Sequence, residues 1–428
     1  MHVIVVGAGL AGLSVAWYLR EGGAKVTILD RNAGPGLEAS FANGALLHPS
    51  MVEPWNSPGV VRLLLRNIGR ADSPMLIRAK VLPSLLGWGV QFIRASRADR
   101  FLVSTRNNLT LARYSVELMG KLRKQTGLEY GAYCRGSLQI FRNRSVAQNT
   151  LAWVSQLVDI GLEYRSLSVD ELIAIEPALA PIAGSLVGAI HYPRDEGGDA
   201  HLYCRALATR LQQHEVVFRY GVDCETFVRD TQDRVSLVDI SGQSWKADAI
   251  VLAAGSVSPL LTRSIGLALP IRPVKGYSIT MPRAAGNVAP YTPVTDPVLH
   301  IGVVAVGEDR IRLAGTAEFA GYSGDIAPGR IRNLFRLLER IYPRFAQQVG
   351  ASDIEPWAGL RPMSADGRPL LGRTPIRNLF LNTGHGQLGW TMAAGSGRLV
   401  ADEILNRKPE IDPTPYAVAR FVTGRGAD

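Results

Sequence analysis

"HVIVVGAGLAGLSVAWYLREGGAKVTILD", His2 to Asp30, decides how the rest of the chain is read. It opens with a short apolar, β-branched run, the pattern of a strand buried on both faces of a parallel sheet. Gly7-x-Gly9-x-x-Gly12 follows at once. Leu13 to Glu21 then has the spacing of an amphipathic helix, Gly22-Gly23 stops it, and "KVTILD" is a second strand ending in Asp30. Gly7 permits a tight turn, Gly9 lets a pyrophosphate touch the backbone, and Gly12 lets the helix pack on the strand. An acid about 20 residues further on can accept from a ribose hydroxyl. Val6, Gly7, Ala8, Gly9, Leu10, Ala11, Gly12 and Asp30 are therefore predicted to hold a dinucleotide. Three glycines alone are weak; the strand, helix, second strand and acid together carry the reading. The motif does not separate NAD from FAD.

A second glycine-rich turn lies near the other end. "LNTGHGQLGWTMAAGSG", Leu381 to Gly397, reads as the end of an apolar strand, a turn, and a helix from Trp390. That too is the build of a site that holds negative charge on backbone N–H groups.

Composition narrows the class. A chain of 428 residues predicts two or three domains, each able to bury a core. Hydrophobic residues at 46% and charged residues at 20% are ordinary for a soluble globular protein. The net charge of +10 favours acidic surfaces or anionic ligands, but no nucleic-acid motif accompanies it. Cys134, Cys204 and Cys224 form no C-x-x-C pair, so neither a zinc site nor an iron–sulfur cluster is indicated, and no metal is expected. Sparse, unpaired cysteines fit a reducing compartment. The first strand starts at residue 2, which leaves no room for a signal peptide, and no long uncharged apolar run predicts a membrane span. The expected location is the cytoplasm.

Along the chain, strand-and-helix signals like those of the first 30 residues return in the middle and at the end. Arg31 to Gly44 is a polar loop, and residues 60–125 read as several basic helices. "SVDELIAIEP" carries a capping box, Ser168 with Glu171. "HLYCRALATRLQQH" is a helix, and "VVFRYGVDCETFVRD" is read as one strand. Ile250 to Ser256 again runs an apolar strand into a small-residue turn. Residues 270–320 are short strands, 328–343 a helix. The predicted fold is α/β: a discontinuous Rossmann-type domain from residues 1–50, 196–265 and 360–428, interleaved with an α+β domain built on an antiparallel sheet from 51–195 and 266–359. A nicotinamide dehydrogenase usually keeps its dinucleotide unit in one block, so the interleaving points to a two-domain flavoprotein.

Four stretches carry a family resemblance: "VGAGLAGLSVAWYL" at the start, "SFANGALLHPSMVEPWNSPGV" from Ser40, "GLRPMSADGRPLLGRT" from Gly359, and "LNTGHGQLGWTMAAGSG". With them the chain resembles, over nearly its whole length, the D-amino-acid dehydrogenase small-subunit family, within the D-amino-acid oxidase and glycine oxidase superfamily of FAD-dependent oxidoreductases. The resemblance implies non-covalent FAD and oxidative deamination of D-amino acids, with hydride transfer to flavin N5. It also implies electrons passed to a quinone of the respiratory chain rather than to NAD. Two readings compete with it: an oxidase or dehydrogenase of a secondary amine such as D-hydroxyproline or sarcosine, and a flavin subunit that only relays electrons.

The same resemblance implies roles. Arg361 would anchor the substrate carboxylate, Tyr277 would add a hydroxyl to it, with Lys275 a weaker candidate, and His48 would line the substrate pocket. Arg31 joins Asp30 near the ribose. Ser40, Asn43 and Gly44 touch pyrophosphate or ring, Val222 meets adenine through its backbone, and Ala253, Ala254 and Gly255 form a second crossing of the cofactor. Gly384, His385, Gly386, Gly389, Trp390 and Thr391 lie beside the flavin ring, where a helix N-terminus would stabilise negative charge on reduction. Each of these could equally be a plain turn or strand residue. Finally, residues 60–106 interleave Arg62, Arg66, Arg70, Arg78, Lys80, Arg94, Arg97, Arg100 and Arg106 with Leu63, Leu86, Trp88 and Ile93. That pattern describes a helix pair able to rest on an anionic membrane, peripheral to its inner face. The plainer reading is a core helix pair with arginines snorkelling at its edge.

Overall fold

The computed structural model describes residues 1–62, 75–283 and 288–422. Its first sheet has six strands in the order Leu370–Arg373, Leu379–Thr383, Ala249–Leu252, His2–Val6, Lys25–Asp30 and Val217–Tyr220. All neighbours are parallel except the edge pair Leu370–Arg373 and Leu379–Thr383. Parallel strands need both faces covered. Val3, Val5, Ile4 and Ile28 are accordingly buried. The helix Leu10–Glu21 covers one face and packs closely on the helix Ala393–Ile404. A Cβ at Gly397 would lie 2.6 Å from the Ser14 carbonyl carbon, so the small residue sets that spacing. The mixed α/β architecture with a Rossmann-type unit is as the sequence predicts.

The second sheet has nine strands. Eight run in the order Glu355–Ser364, Ile271–Pro282, Arg310–Phe319, Ile301–Val306, Val294–Asp296, Ser137–Phe141, Gly188–Tyr192 and Arg165–Leu167; Met75–Ile77 pairs in parallel with Arg310–Phe319. The helix Pro328–Ile341 backs it with Leu334, Leu338 and Ile341, all fully buried against Ile279 and Leu313. Residues 224–245 form a separate three-stranded sheet.

Several local expectations change. The stretch read as one strand, "VVFRYGVDCETFVRD", is two strands in different sheets, Val217–Tyr220 and Cys224–Arg229, because Gly221 takes φ +73° and turns the chain. Gly359–Pro362 is part of the strand Glu355–Ser364. Pro362 is tolerated there because that strand lies at the sheet edge. The basic helices of residues 60–125 include Leu82–Ala95 and Ala98–Thr126, and the strand Met75–Ile77 precedes them. The part with Leu63, Arg66 and Arg70 lies outside the described residues. The capping box of Ser168 and Glu171 forms as read.

The nine-stranded sheet carries one irregularity near its edge. Lys275 pairs with Glu318 but Tyr277 with Gly315, so Thr316 and Ala317 together oppose Gly276. This is a β-bulge, and Thr316 pays for it with φ +59°, a conformation a β-branched residue rarely adopts.

Candidate active site

A cavity of about 1450 Å³ runs between the two large sheets. One end is lined by the first glycine-rich turn. Gly7 has φ +111°, and a Cβ there would meet the Ala253 carbonyl oxygen at 2.6 Å; a Cβ on Gly12 would fall 1.8 Å from the Gly7 oxygen. Gly7 lines the cavity and makes the turn, and Gly12, behind it, lets helix meet strand. The helix Leu10–Glu21 has no side-chain cap from Gly9 and no acidic residue in its first turn. Its positive end therefore faces the cavity without a cap or an acid from the helix itself. The Ser40 hydroxyl accepts from the Leu10 N–H at 3.2 Å. Asp30 lines the cavity while accepting from the Ala8 N–H at 2.6 Å and the Asn32 N–H at 2.8 Å. A carboxylate retains further lone pairs for a ribose. Arg31 is turned to Glu38, 2.5 Å away.

Asn43 accepts from the Ala45 N–H at 3.0 Å, and Gly44 lies beside it on the wall. The Val222 N–H already donates to the Asp30 carbonyl at 3.0 Å, and the residue lines the cavity. Ala253, Ala254 and Gly255 line the middle; Gly255 takes φ +55°, and a Cβ on it would meet only open space. An open helix end, an acid opposite it and a glycine-lined wall fit the phosphates and adenosine of FAD.

The second turn lines the other end. Gly384 and Gly386 take φ +81° and +57°. The helix expected from Trp390 begins at Ala393 instead, and Gly386–Leu388 is a single 3₁₀ turn. Glycines at 384, 386 and 389 each disfavour an α-helix by about 1 kcal/mol relative to alanine. The groups presented to a ring are thus individual turn residues, and the helix end stands further back. His385, Gly386, Gly389 and Trp390 line the cavity. Gly384 packs instead on Leu370, and Thr391 accepts from the His48 N–H at 3.1 Å behind the wall. His385 Nε2 lies 3.0 Å from Ser396 Oγ, and burial pulls its pKa down to about 4. Burial does the same to His48, which lines the cavity and whose Nδ1 has no partner among the described residues. Both imidazoles are neutral near pH 7.

Arg361 projects over Gly276. A Cβ at Gly276 would lie 2.3 Å from the guanidinium carbon, so the strand glycine makes its room. Its Nη1 donates to the Thr316 carbonyl at 3.1 Å, and the group lies 5.6 Å from the Trp55 ring centroid. No carboxylate pairs with it among the described residues, and desolvation lowers its pKa to about 10. An uncompensated guanidinium on a cavity wall is a site for an anion. Tyr277 shares the wall, but its hydroxyl donates to Glu318 Oε2 at 2.5 Å. Its hydrogen is therefore engaged, and toward the cavity its oxygen can only accept. Lys275 is buried and donates to the Asp325 carbonyl at 2.9 Å, away from the cavity.

The sequence reading missed several contributors. Trp55 and the Thr316 carbonyl steady Arg361; Gly276 in mid-strand was the one sign that something approaches closely there. Glu53 also lines this end. Asp195 is buried and accepts from the Ser50 and Ser137 hydroxyls at 2.5 and 2.6 Å, which fixes the loop bearing His48; burial pushes its carboxyl up to about 7. Asn108 fastens the same loop, donating to the Val52 and Gly367 carbonyls at 3.0 Å each.

Known proteins resemble this chain over nearly its whole length. The model of the family of FAD dependent oxidoreductases (DAO) matches residues 2–403. The chain is 42% identical over 424 residues to a D-amino acid dehydrogenase of Paramagnetospirillum magneticum, covering 99% of each chain. It is 40% identical over 423 residues to a D-amino acid dehydrogenase of Methylobacterium nodulans, again covering 99% of each. Among solved structures, glycine oxidase from Geobacillus kaustophilus superposes with a TM-score of 0.75 at 22% identity, covering 100% of this chain and 99% of that one. L-proline dehydrogenase from P. horikoshii gives a TM-score of 0.77 at 16% identity over 99% and 98%. Those two show the shared fold.

Proposed function

The chain belongs to the family of FAD-dependent oxidoreductases, and from that premise we propose that it oxidatively deaminates D-amino acids to 2-oxo acids and ammonia. The observation that carries the proposal is Arg361, a guanidinium on the cavity wall with no carboxylate partner among the described residues. Bound FAD supplies the two-electron acceptor, receiving hydride from the substrate α-carbon. The chain's own residues bind and orient. Arg361 takes the carboxylate bidentately, steadied by the Thr316 carbonyl and Trp55. His48 and His385 are held neutral, so the ring end adds no positive charge that would compete for the carboxylate. The amine must be uncharged to release its lone pair, and no side-chain base is needed at the α-carbon. The imino acid hydrolyses in water. Residues 1–50, 196–265 and 360–428 would form the FAD domain and 51–195 with 266–359 the substrate domain; the strand Glu355–Ser364 carries Arg361 across the last boundary.

A quinone acceptor is part of the proposal, with the helix Leu82–Ala95 as the membrane contact. Trp88, Phe92 and Ala95 are buried, Trp88 donating to the Met363 carbonyl at 3.1 Å. Leu82, Leu86, Val90 and Ile93 are exposed and follow one helical stripe. Arg78, Lys80, Arg94, Arg97 and Arg100 are exposed around it. Apolar stripe and basic fringe suit an anionic bilayer, at about 1 kcal/mol per basic group. No helix among the described residues is long and apolar enough to cross a membrane.

The test is anaerobic bleaching of the flavin by a panel of D-amino acids, their L-enantiomers, D-hydroxyproline and sarcosine. Bleaching by D-amino acids alone is expected. Preference for the secondary amines would overturn the substrate class, and no bleaching by any would leave an electron-relay subunit. Sedimentation with anionic liposomes should fall at high salt and on Leu86→Glu; binding indifferent to both would remove the membrane contact.

A further inference from the structure

Glu53 is the second ionisable group at the ring end with no opposite partner among the described residues. Its Oε1 accepts from the Trp153 indole N–H at 2.7 Å, and its backbone carbonyl accepts from the Gln387 amide at 3.0 Å. The carboxyl also accepts from its own backbone N–H, and no cation pairs with it among the described residues. Burial raises its pKa above the usual carboxylate range. Beside it, Phe101 and Trp153 stand with ring centroids 5.4 Å apart, and Asn149 and Thr150 continue the same wall. Asp296, by contrast, is already paired with Arg142 at 3.3 Å.

We propose that Glu53 and the aromatic wall made by the packed pair Phe101 and Trp153 form a subsite for a cationic side chain, making basic D-amino acids the preferred substrates. The proposal rests on the reading that the cavity takes α-amino acids. A ligand that neutralises Arg361 brings a carboxylate, and Glu53 then asks for a cation. The α-amine cannot be that cation, because a carboxylate beside it would hold its proton in place and withhold the lone pair that oxidation needs. The cation must come from the side chain. Aromatic faces flanking a carboxylate suit an ammonium or guanidinium on an aliphatic stem.

The test separates this from the activity itself. Holoenzyme is titrated with 6-aminohexanoate and with hexanoate, neither of which has an α-amine to oxidise, following perturbation of the flavin spectrum. The amine should bind at least tenfold more tightly, and Glu53→Gln should bring the ratio close to one. Glu53→Asp, which keeps the charge on a shorter stem, should keep part of it. FAD content and Tm serve as the check on folding. Anaerobic bleaching should favour D-lysine over D-norleucine by at least tenfold in kcat/KM, and Glu53→Gln should collapse that ratio too. Equal binding of the two acids, or a ratio that survives Glu53→Gln, overturns the subsite. Amine-selective, Glu53-dependent binding without bleaching by any D-amino acid upholds the subsite and overturns the deamination reading instead.

Discussion

The two ends of the one cavity are built differently. The end proposed for the phosphates comes largely from residues 6–12 and Asp30, and its constraints are steric: two glycines whose Cβ atoms would strike backbone oxygens, and a helix start with no side chain at its cap position. The ring end is assembled from residues 48–55, 276–277, 316, 361 and 385–390, and its constraints are electrostatic. There two histidines are neutral, and Arg361 and Glu53 are ionisable groups without opposite partners among the described residues. The difference teaches that a cofactor can be gripped by shape, whereas a substrate is chosen by charges the fold leaves unanswered.

Breaking the shape of the phosphate end should have the largest effect. Gly9 faces the cavity, with only Ser40 Oγ, at 3.2 Å, near the place of a Cβ. Gly9→Val should therefore fold but lose FAD, giving colourless protein with an affinity down by two or more orders of magnitude. A yellow, fully loaded variant would refute the steric account.

Breaking the charge at the ring end comes next. Arg361→Ala should keep its FAD and cut kcat/KM by two or more orders of magnitude, on the scale of the roughly 3–5 kcal/mol of a broken buried pair. An unchanged KM would move the carboxylate site elsewhere.

His385 sharpens the contrast through pH. Its folded pKa of about 4 lies below the ordinary 6.5. Between those values the unfolded chain binds a proton that the folded chain refuses, so its contribution is complete above pH 6.5 and is lost as pH falls toward 4. The full loss is about 3 kcal/mol. His385→Gln should make the decline of Tm between pH 6.5 and about 4 shallower; an identical slope would mean that the imidazole is protonated in the fold.

The smallest effect belongs to Ser40→Ala. It removes one acceptor from the Leu10 N–H and should cost about 1 kcal/mol in a denaturant melt. A change in substrate KM larger than the change in FAD affinity would show that the two ends are coupled.

Much of this was legible in the chain alone. The first turn could be read residue by residue because its parts are adjacent, and tight turns, close packing and an acid at a set spacing are local matters. The cofactor class and the reaction followed from the family resemblance, which also pointed to Arg361, His48 and the second turn. Whether Arg361 has a partner could not be read. That depends on Gly276, Thr316 and Trp55, brought to it by strand pairing and a bulge. Tyr277 was a hydroxyl waiting for a substrate until Glu318, 41 positions away, engaged it. The helix placed at Trp390 starts at Ala393, since competing 3₁₀ closure is decided by packing. Glu53 carried no signal at all in sequence. Local geometry is written in neighbouring residues, but burial, and with it the energy of a charge, is a property of whatever the fold brings alongside.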